Sequence, residues 1–247
     1  MNGMTEHDKG WAGRSVEHTV SDALLMDYAV GSTDTATNAL IASQILTSPE
    51  LDGRLAVMDD LGGAILQGQT AESADHTLDD AFDALMSRID SKAADDSSEA
   101  VPGDMSQVAS SSLPEDLENL PQPILDLLHS SSGQQIQWKT VLPGVSIIEL
   151  DWLAGDSRAR LLKVKAGTAM PHHTHEGREL TLICKGAYAD ETGRYAAGDV
   201  AEHDEDDHVD HQPIAEMGED CICFAVTTAP LRLTGAFGRF LNPFVDI

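Results

Sequence analysis

Gly167-Thr-Ala-Met-Pro-His-His173-Thr-His175-Glu-Gly-Arg-Glu179-Leu-Thr-Leu-Ile-Cys-Lys-Gly186 carries the densest chemical signal in this chain. Reduced to spacing, it is a glycine, five residues, His-x-His, three residues, a glutamate, six residues and a second glycine. Residues two apart on an extended strand share a face, so His173 and His175 project together. Glu179 keeps that parity and joins them once the chain curls back across a barrel. Two imidazoles and a carboxylate converging on one point, with no buried base to neutralise them, are best explained by a bound divalent cation. Gly167 and Gly186 suit tight turns at either end of the strand pair.

Around this stretch, the chain after Gln134 breaks into short β-rich runs at 136–141, 145–150, 159–165, 179–185, 187–191, 221–227 and 231–234. Leu142-Pro-Gly144, Gly155-Asp156, Glu191-Thr-Gly193 and Ala197-Gly198-Asp199 separate them as turns. Many short strands in roughly 120 residues predict a sandwich or barrel, and a double-sheet jelly roll accommodates the histidine site. The quoted motif resembles the first sequence motif of the cupins and matches it at every fixed position. The resemblance covers about 117–247 and implies a C-terminal cupin β-barrel (double-stranded β-helix or jelly roll) holding one divalent metal. Zn²⁺ in a closed structural or sensing site is the first expectation; Fe²⁺, Mn²⁺ or Ni²⁺ with open positions are the alternatives.

Cupins take a further histidine ligand from a later strand. The candidates here are His203, His208 and His211, within His203-Asp-Glu-Asp-Asp-His208-Val-Asp-His211-Gln-Pro213. The family pattern places it shortly before a proline and downstream of Gly198-Asp199, which selects His211, with His208 the runner-up. The implied ligand set is His173, His175, Glu179 and His211. His172 and His203 are expected to be solvent-exposed bystanders. Cys221 and Cys223 share a strand face and read as small buried hydrophobes rather than a disulfide, since Cys-x-Cys on a flat strand is poorly placed to close one. Cys184 has the opposite parity to Glu179 and should face away from the metal.

The first half of the chain is helical in pattern. Residues 1–17 read as a disordered tail. Ser21 is a good N-cap, Asp22 complements the helix dipole, Leu24, Leu25 and Tyr28 follow at helical spacing, and Gly31 ends the helix. A second helix is expected over about 34–46. Ser48-Pro49 opens a third, with Leu51, Leu55, Met58, Leu61 and Ile65 as its buried stripe. Thr77 and Asp80 have capping-box spacing, and Leu78, Ala81, Phe82, Leu85, Met86 and Ile89 then repeat as one helical face. That face is either the cover of a small core or an apolar strip offered to another protein. Residues 93–116 form a Ser-, Ala- and Asp-rich linker that cannot bury enough surface to fold. The expected domains are therefore 18–92 (a helical bundle) and 117–247, an α + β chain of two domains.

The net charge is −27, from 42 acidic against 15 basic side chains. Such a surface repels nucleic-acid phosphates and anionic membranes and attracts basic protein surfaces. No apolar run approaches the roughly 20 residues that span a bilayer, and no apolar signal core opens the chain. A cytoplasmic protein is expected.

A small acidic helical domain linked to a metal cupin is similar to the ChrR-type anti-sigma factors. Val20-Ser-Asp-Ala-Leu-Leu25…Tyr28-Ala-x-Gly31 resembles that family's first helix. Glu179-Leu-Thr-Leu182, Gly186-Ala-Tyr-x-Asp-Glu-Thr192, His211-x-Pro213, Asp220-Cys-Ile-Cys223 and Ala229-Pro-Leu231 match in the second half. The resemblance implies that 18–92 sequesters an extracytoplasmic-function sigma factor, here through Leu78, Phe82, Leu85, Met86 and Ile89. The cupin would act as the module that responds to oxidative or photooxidative stress. A homodimer through the cupin domain is a further partner to expect. The family's helical domain usually binds zinc through two histidines and a Cys-x-x-Cys. Thr19, Gln44, Ser48 and Leu51 stand at those places, so no zinc is expected there. The alternative reading is a metal-dependent cupin enzyme, a dioxygenase or lyase, with an accessory helical domain.

Overall fold

The computed structural model describes residues 16–68, 82–83, 86–87 and 113–234, apart from 132, 154, 156, 205, 206 and 208. Most of the expected tail at 1–17, of the linker at 93–116 and of the helix expected around 77–89 lies outside the described residues, as does His208; the described ends correct the first two, since Glu17 N donates to Asp199 Oδ1 and Glu115–Leu117 forms a 3₁₀ turn tied to Lys163 through Asp116. Contacts divide the chain into two units, one joining residues up to 59 with those from 111 onward, the other covering 60–110. The compositional division at 92 is thus crossed by packing: the first helices belong with the strands.

Helix α1 (Asp22–Ala29) starts where Ser21 Oγ accepts from Leu24 N at 3.3 Å. Helix α2 (Thr35–Ile45) is capped by Asp34, whose Oδ1 accepts from Thr37 N at 2.8 Å. Helix α3 (Pro49–Gly68) opens with Ser48 Oγ accepting from Leu51 N at 3.2 Å. Each cap satisfies an amide that the first helical turn cannot. A 3₁₀ turn (Glu115–Leu117) and helix α4 (Gln122–His129) follow, with Ile124, Leu125, Leu127 and Leu128 on the buried side of α4.

The strands are β1 (Lys139–Leu142), β2 (Val145–Glu149), β3 (Arg158–Val164), β4 (His173–His175), β5 (Glu179–Lys185), β6 (Ala187–Ala189), β7 (Arg194–Ala196), β8 (Val200–His203), β9 (Ile214–Ala215), β10 (Cys221–Thr227) and β11 (Leu231–Leu233). They form a six-stranded sheet in the order β1-β2-β3-β10-β5-β8, a β11-β4 pair and a β7-β6-β9 sheet, the strand arrangement of a cupin. Strands β4, β7, β8 and β9 are short and fall outside the apolar runs read from sequence; β8 in particular has only Val200 and Ala201 before Glu202 and His203. Gly186 closes the turn after β5 at φ 70, where a Cβ would lie 2.8 Å from the Asp220 carbonyl oxygen; only glycine fits this approach.

The two faces of the main sheet have different neighbours. On one face, Leu24, Leu25, Leu40, Ile41 and Leu51 pack in a single core with Leu161, Leu180, Leu182 and Phe224. Cys184 belongs to this side, as its parity predicts, whereas Ile183, Cys221 and Cys223 belong to the inner core with Val164, Met170 and Tyr188. Gln44 locks the helical layer onto the barrel. Its Oε1 accepts from Val20 N at 3.0 Å, and its Nε2 donates to the carbonyls of His18 (2.8 Å) and Gly198 (3.1 Å). Asp199 Oδ1 accepts from the Glu17 and His18 amides.

The positions that the family resemblance associates with zinc are held together by hydrogen bonds and burial. Gln44 is the tie just described, Ser48 is a cap, Leu51 is fully buried and Thr19 Oγ1 accepts from Arg54 at 2.9 Å. The buried stripe expected on α3 needs correction. Leu51 is in the core and Leu55 and Met58 are partly covered, but Leu61 and Ile65 are 53% and 57% exposed. They lie beyond Asp59, where α3 leaves the unit that supplies the core.

Candidate metal centre

Strand β4 places His173 and His175 on one inner face, both at 4% exposure or less. His211 reaches them through a bridge to β4, with His173 N donating to His211 O and His211 N to His173 O, each at 3.1 Å. Nitrogen atoms of His173, His175 and His211 all lie within 4.8 Å of one another. The sheet register does what spacing in sequence could not, since 36 residues separate His175 from His211 and their Nε2 atoms are 2.9 Å apart.

Hydrogen bonds decide which nitrogens face inward. His173 Nδ1 donates to the Pro171 carbonyl at 2.8 Å and His211 Nδ1 to Asp190 Oδ2 at 2.7 Å. Both rings therefore turn Nε2 to the centre, the arrangement of metal-bound histidines held by an outer acceptor. Asp190 was missed by sequence reasoning, although it lies in the quoted Gly186–Thr192 match. Burial alone would raise its pKa, but the His211 and Thr192 hydrogen bonds outweigh that and bring it down to about 2. Burial pushes the His173 imidazole down to about 4, so the ring is neutral and its lone pair available near pH 7.

Glu179 opens β5, and Thr181 Oγ1 donates to its Oε1 at 2.9 Å. Its Oε2 lies 2.9 Å from His175 Nδ1, yet neither atom has a hydrogen-bond partner, the pair being out of line. Burial raises the Glu179 pKa, but His175 and then His173 outweigh it and keep the carboxylate ionised. A neutral His175 has one N–H and two neighbours requiring it, His211 Nε2 and Glu179. A proton on Nδ1 would point badly at the carboxylate; a cation among these nitrogens and oxygens removes the conflict. The donor set thus fits a divalent metal, held by His173, His175 and His211 with Glu179 beside them.

One sequence expectation changes. His203 is not exposed: it is 4% accessible and lies within this cluster, its ring parallel to that of His175 (9°, centroids 5.1 Å apart). The misreading follows from missing β8, whose alternation puts Ala201 and His203 on the inner face. His172 is exposed, 3.9 Å from Asp210. A cavity of about 60 Å³ adjoins the centre and is bordered by Met170, His173, Glu179, Tyr188, His211 and Cys223. The thiols of Cys221 and Cys223 are free and 3.5 Å apart.

Residues 130–231 match the family described as the ChrR cupin-like domain. The chain is 32% identical over 233 residues, 94% of its length, to the anti-sigma-E factor ChrR of Cereibacter sphaeroides, all of which is covered. It is also similar to the crystal structure of Rhodobacter sphaeroides SigE in complex with the anti-sigma ChrR. The TM-score is 0.63 and the identity 30%, with 86% of this chain and 99% of that chain covered.

Proposed function

The chain belongs to the ChrR family of anti-sigma factors, and we propose that it restrains transcription by sequestering an extracytoplasmic-function sigma factor. The observation that carries this is the relation to ChrR along 94% of the chain, helical segment and cupin together, and not the cupin alone. The relative is solved in complex with SigE, so the same class of partner is proposed here. A DNA-binding sigma factor presents basic surface, and a chain of net charge −27 complements it.

The partner-binding face is proposed from the apolar strip expected on 77–89. Phe82 and Met86, one helical turn apart, are 61% and 41% exposed; Leu78, Leu85 and Ile89 lie outside the described residues. Helix α3 offers a second strip in Val57, Leu61 and Ile65, each more than half exposed at i, i+4 and i+8. Among the described residues no helix is long and apolar enough to cross a membrane, and the cytoplasm is the compartment where a sigma factor would be met.

The histidine centre is proposed as the signal-responsive module, holding one divalent ion, Zn²⁺ first, and answering oxidative or photooxidative stress. A metal there would hold β4, the start of β5 and the His211 loop together. This chain's residues supply the rest: Asp190 and the Pro171 carbonyl orient two imidazoles, and the helical layer seals the opposite face of the sheet. The cavity beside the centre argues against the enzyme reading, because about 60 Å³ is far below the roughly 300–1,000 Å³ of organic-substrate pockets.

Affinity capture of the native chain from its host should recover a sigma factor, and adding the chain to that sigma factor's RNA polymerase should suppress transcription from its promoters. Capture of no sigma factor by an abundant chain, or undiminished transcription, overturns the proposal.

A further inference from the structure

We propose that His203 is an additional protein ligand of the same ion, making the centre a set of four imidazoles and one carboxylate. This rests on the reading of the His173, His175, Glu179 and His211 cluster as a metal centre and extends it. Three independent observations meet at His203. The side chain is 4% accessible and both ring nitrogens are buried without a hydrogen-bond partner. Asp207 Oδ2 stands 3.5 Å from Nδ1, at the outer limit of hydrogen-bond distance, and leaves Nδ1 without a hydrogen bond. Leaving both nitrogens of a buried imidazole bare forfeits their hydration with nothing in return. A residue with no ligand to serve would not be expected to carry that loss.

The second observation is register. Glu179 and His203 are directly paired across β5 and β8, so their side chains rise next to each other from the same face. The third is spacing. A ring bound through one nitrogen at about 2.1 Å has its centroid roughly 3.2 Å from the ion, so rings at 90–110° lie about 4.5–5.2 Å apart. The accepted trio shows 5.2 Å (His173–His175), 4.4 Å (His173–His211) and 5.0 Å (His175–His211). His203 lies 5.1 Å from His175 and 5.0 Å from His211. By this measure it borders the trio beside His175 and His211, on the side of the cluster where Glu179 also stands.

Five protein donors leave little or no room for a bound substrate, which favours a sensing centre over a catalytic one. They also remove the case for a tetrahedral ion: Fe²⁺, Mn²⁺ or Ni²⁺ suits five nitrogen and oxygen donors as well as Zn²⁺ does.

The test is titration of the metal-free full chain with Co²⁺, read by visible absorption and elemental analysis. It compares the native chain with His203→Gln, His203→Asn and, as a reference, the exposed His129→Gln. The native chain and His129→Gln should take one Co²⁺ with the weak bands of five-coordination. Both His203 variants, checked for folding by circular dichroism, should bind at least about tenfold more weakly. Their bands should intensify toward the four-coordinate pattern. Unchanged affinity and spectrum in either folded variant overturns the assignment of His203 and leaves the metal centre standing. Failure of the native chain itself to bind Co²⁺ overturns the metal reading and this inference with it.

Discussion

The outer and inner faces of the six-stranded sheet are built from the same strands and follow opposite rules. Outward, Leu161, Leu180, Leu182 and Phe224 meet helices α1, α2 and α4 in an apolar core whose buried polar side chains Ser43, Gln44 and Thr47 are hydrogen-bonded. Inward, β4, β5, β8 and the His211 bridge bring together four histidines and a glutamate, several of whose buried nitrogens and oxygens have no partner. Strand alternation makes this possible, because adjacent residues of one strand serve different environments. In β5, Leu180 and Leu182 seal the helical layer while Glu179 and Thr181 face the centre. The helical layer therefore contributes stability, and the inner face carries polar groups that destabilise the fold until something binds them. The contrast also explains why Gln44 matters: it is the fully paired buried amide that ties the helical segment to the barrel at His18 and Gly198.

Several substitutions would break or sharpen this contrast. The largest effect is expected at the outer face, where Phe224→Ala should lower unfolding free energy by about 3–5 kcal/mol in urea titration while leaving metal stoichiometry intact. His173→Ala should do the reverse. Elemental analysis should find no stoichiometric metal, while the metal-free protein changes by less than about 1 kcal/mol. Comparable stability losses at the two sites would erase the distinction between the faces. Asp190→Asn, which leaves His211 in place but weakens its orientation, should reduce metal affinity about 10–100-fold, measured by competition with a chromophoric chelator. Gln44→Leu should cost about 1–3 kcal/mol by leaving the Val20 amide unpaired and removing the side-chain bonds to the Gly198 and His18 carbonyls, the latter keeping its bond from Val200 N. An unaffected melting curve would mean that the helical layer is held by apolar packing alone.

The smallest effect concerns pH. Burial raises the Asp116 pKa, but Lys163 (Nζ to Oδ2, 2.8 Å) and Trp138 Nε1 (3.0 Å) outweigh it and hold the carboxylate below its ordinary range. The folded chain thus holds Asp116 ionised more firmly than the unfolded chain does. The stabilisation is complete above the ordinary Asp range and is lost as pH falls through the lowered folded value. Asp116→Asn should flatten that part of the acid-unfolding curve by less than about 1 kcal/mol, since the pair is partly solvated.

Legibility in the sequence followed the strength of local signals. Caps at Ser21, Asp34 and Ser48 are readable because a short polar side chain before an apolar periodic run has one obvious use. The strands β2, β3, β5 and β10 are readable because each carries three Val, Ile, Leu or Phe side chains within five to seven residues. Strand β8 is not: Val200-Ala-Glu-His203 has only two apolar side chains, and its extended state is imposed by pairing with β5. Missing β8 meant placing His203 in solvent. The exposure of Leu61 and Ile65 was equally hidden, because helical periodicity shows which residues share a face but not how far along the helix a neighbour extends.

By itself, the sequence determined the cupin motif, the parity of His173, His175 and Glu179, the helix starts and the acidic surface. These are properties of neighbouring residues and of totals. The tertiary structure alone decided that His211 and His203 meet residues far from them in the chain, that Asp190 orients His211, and that the first helices share a core with the barrel. Such contacts arise from strand register and layer packing. Both depend on the free energy of the whole fold, which no local pattern encodes.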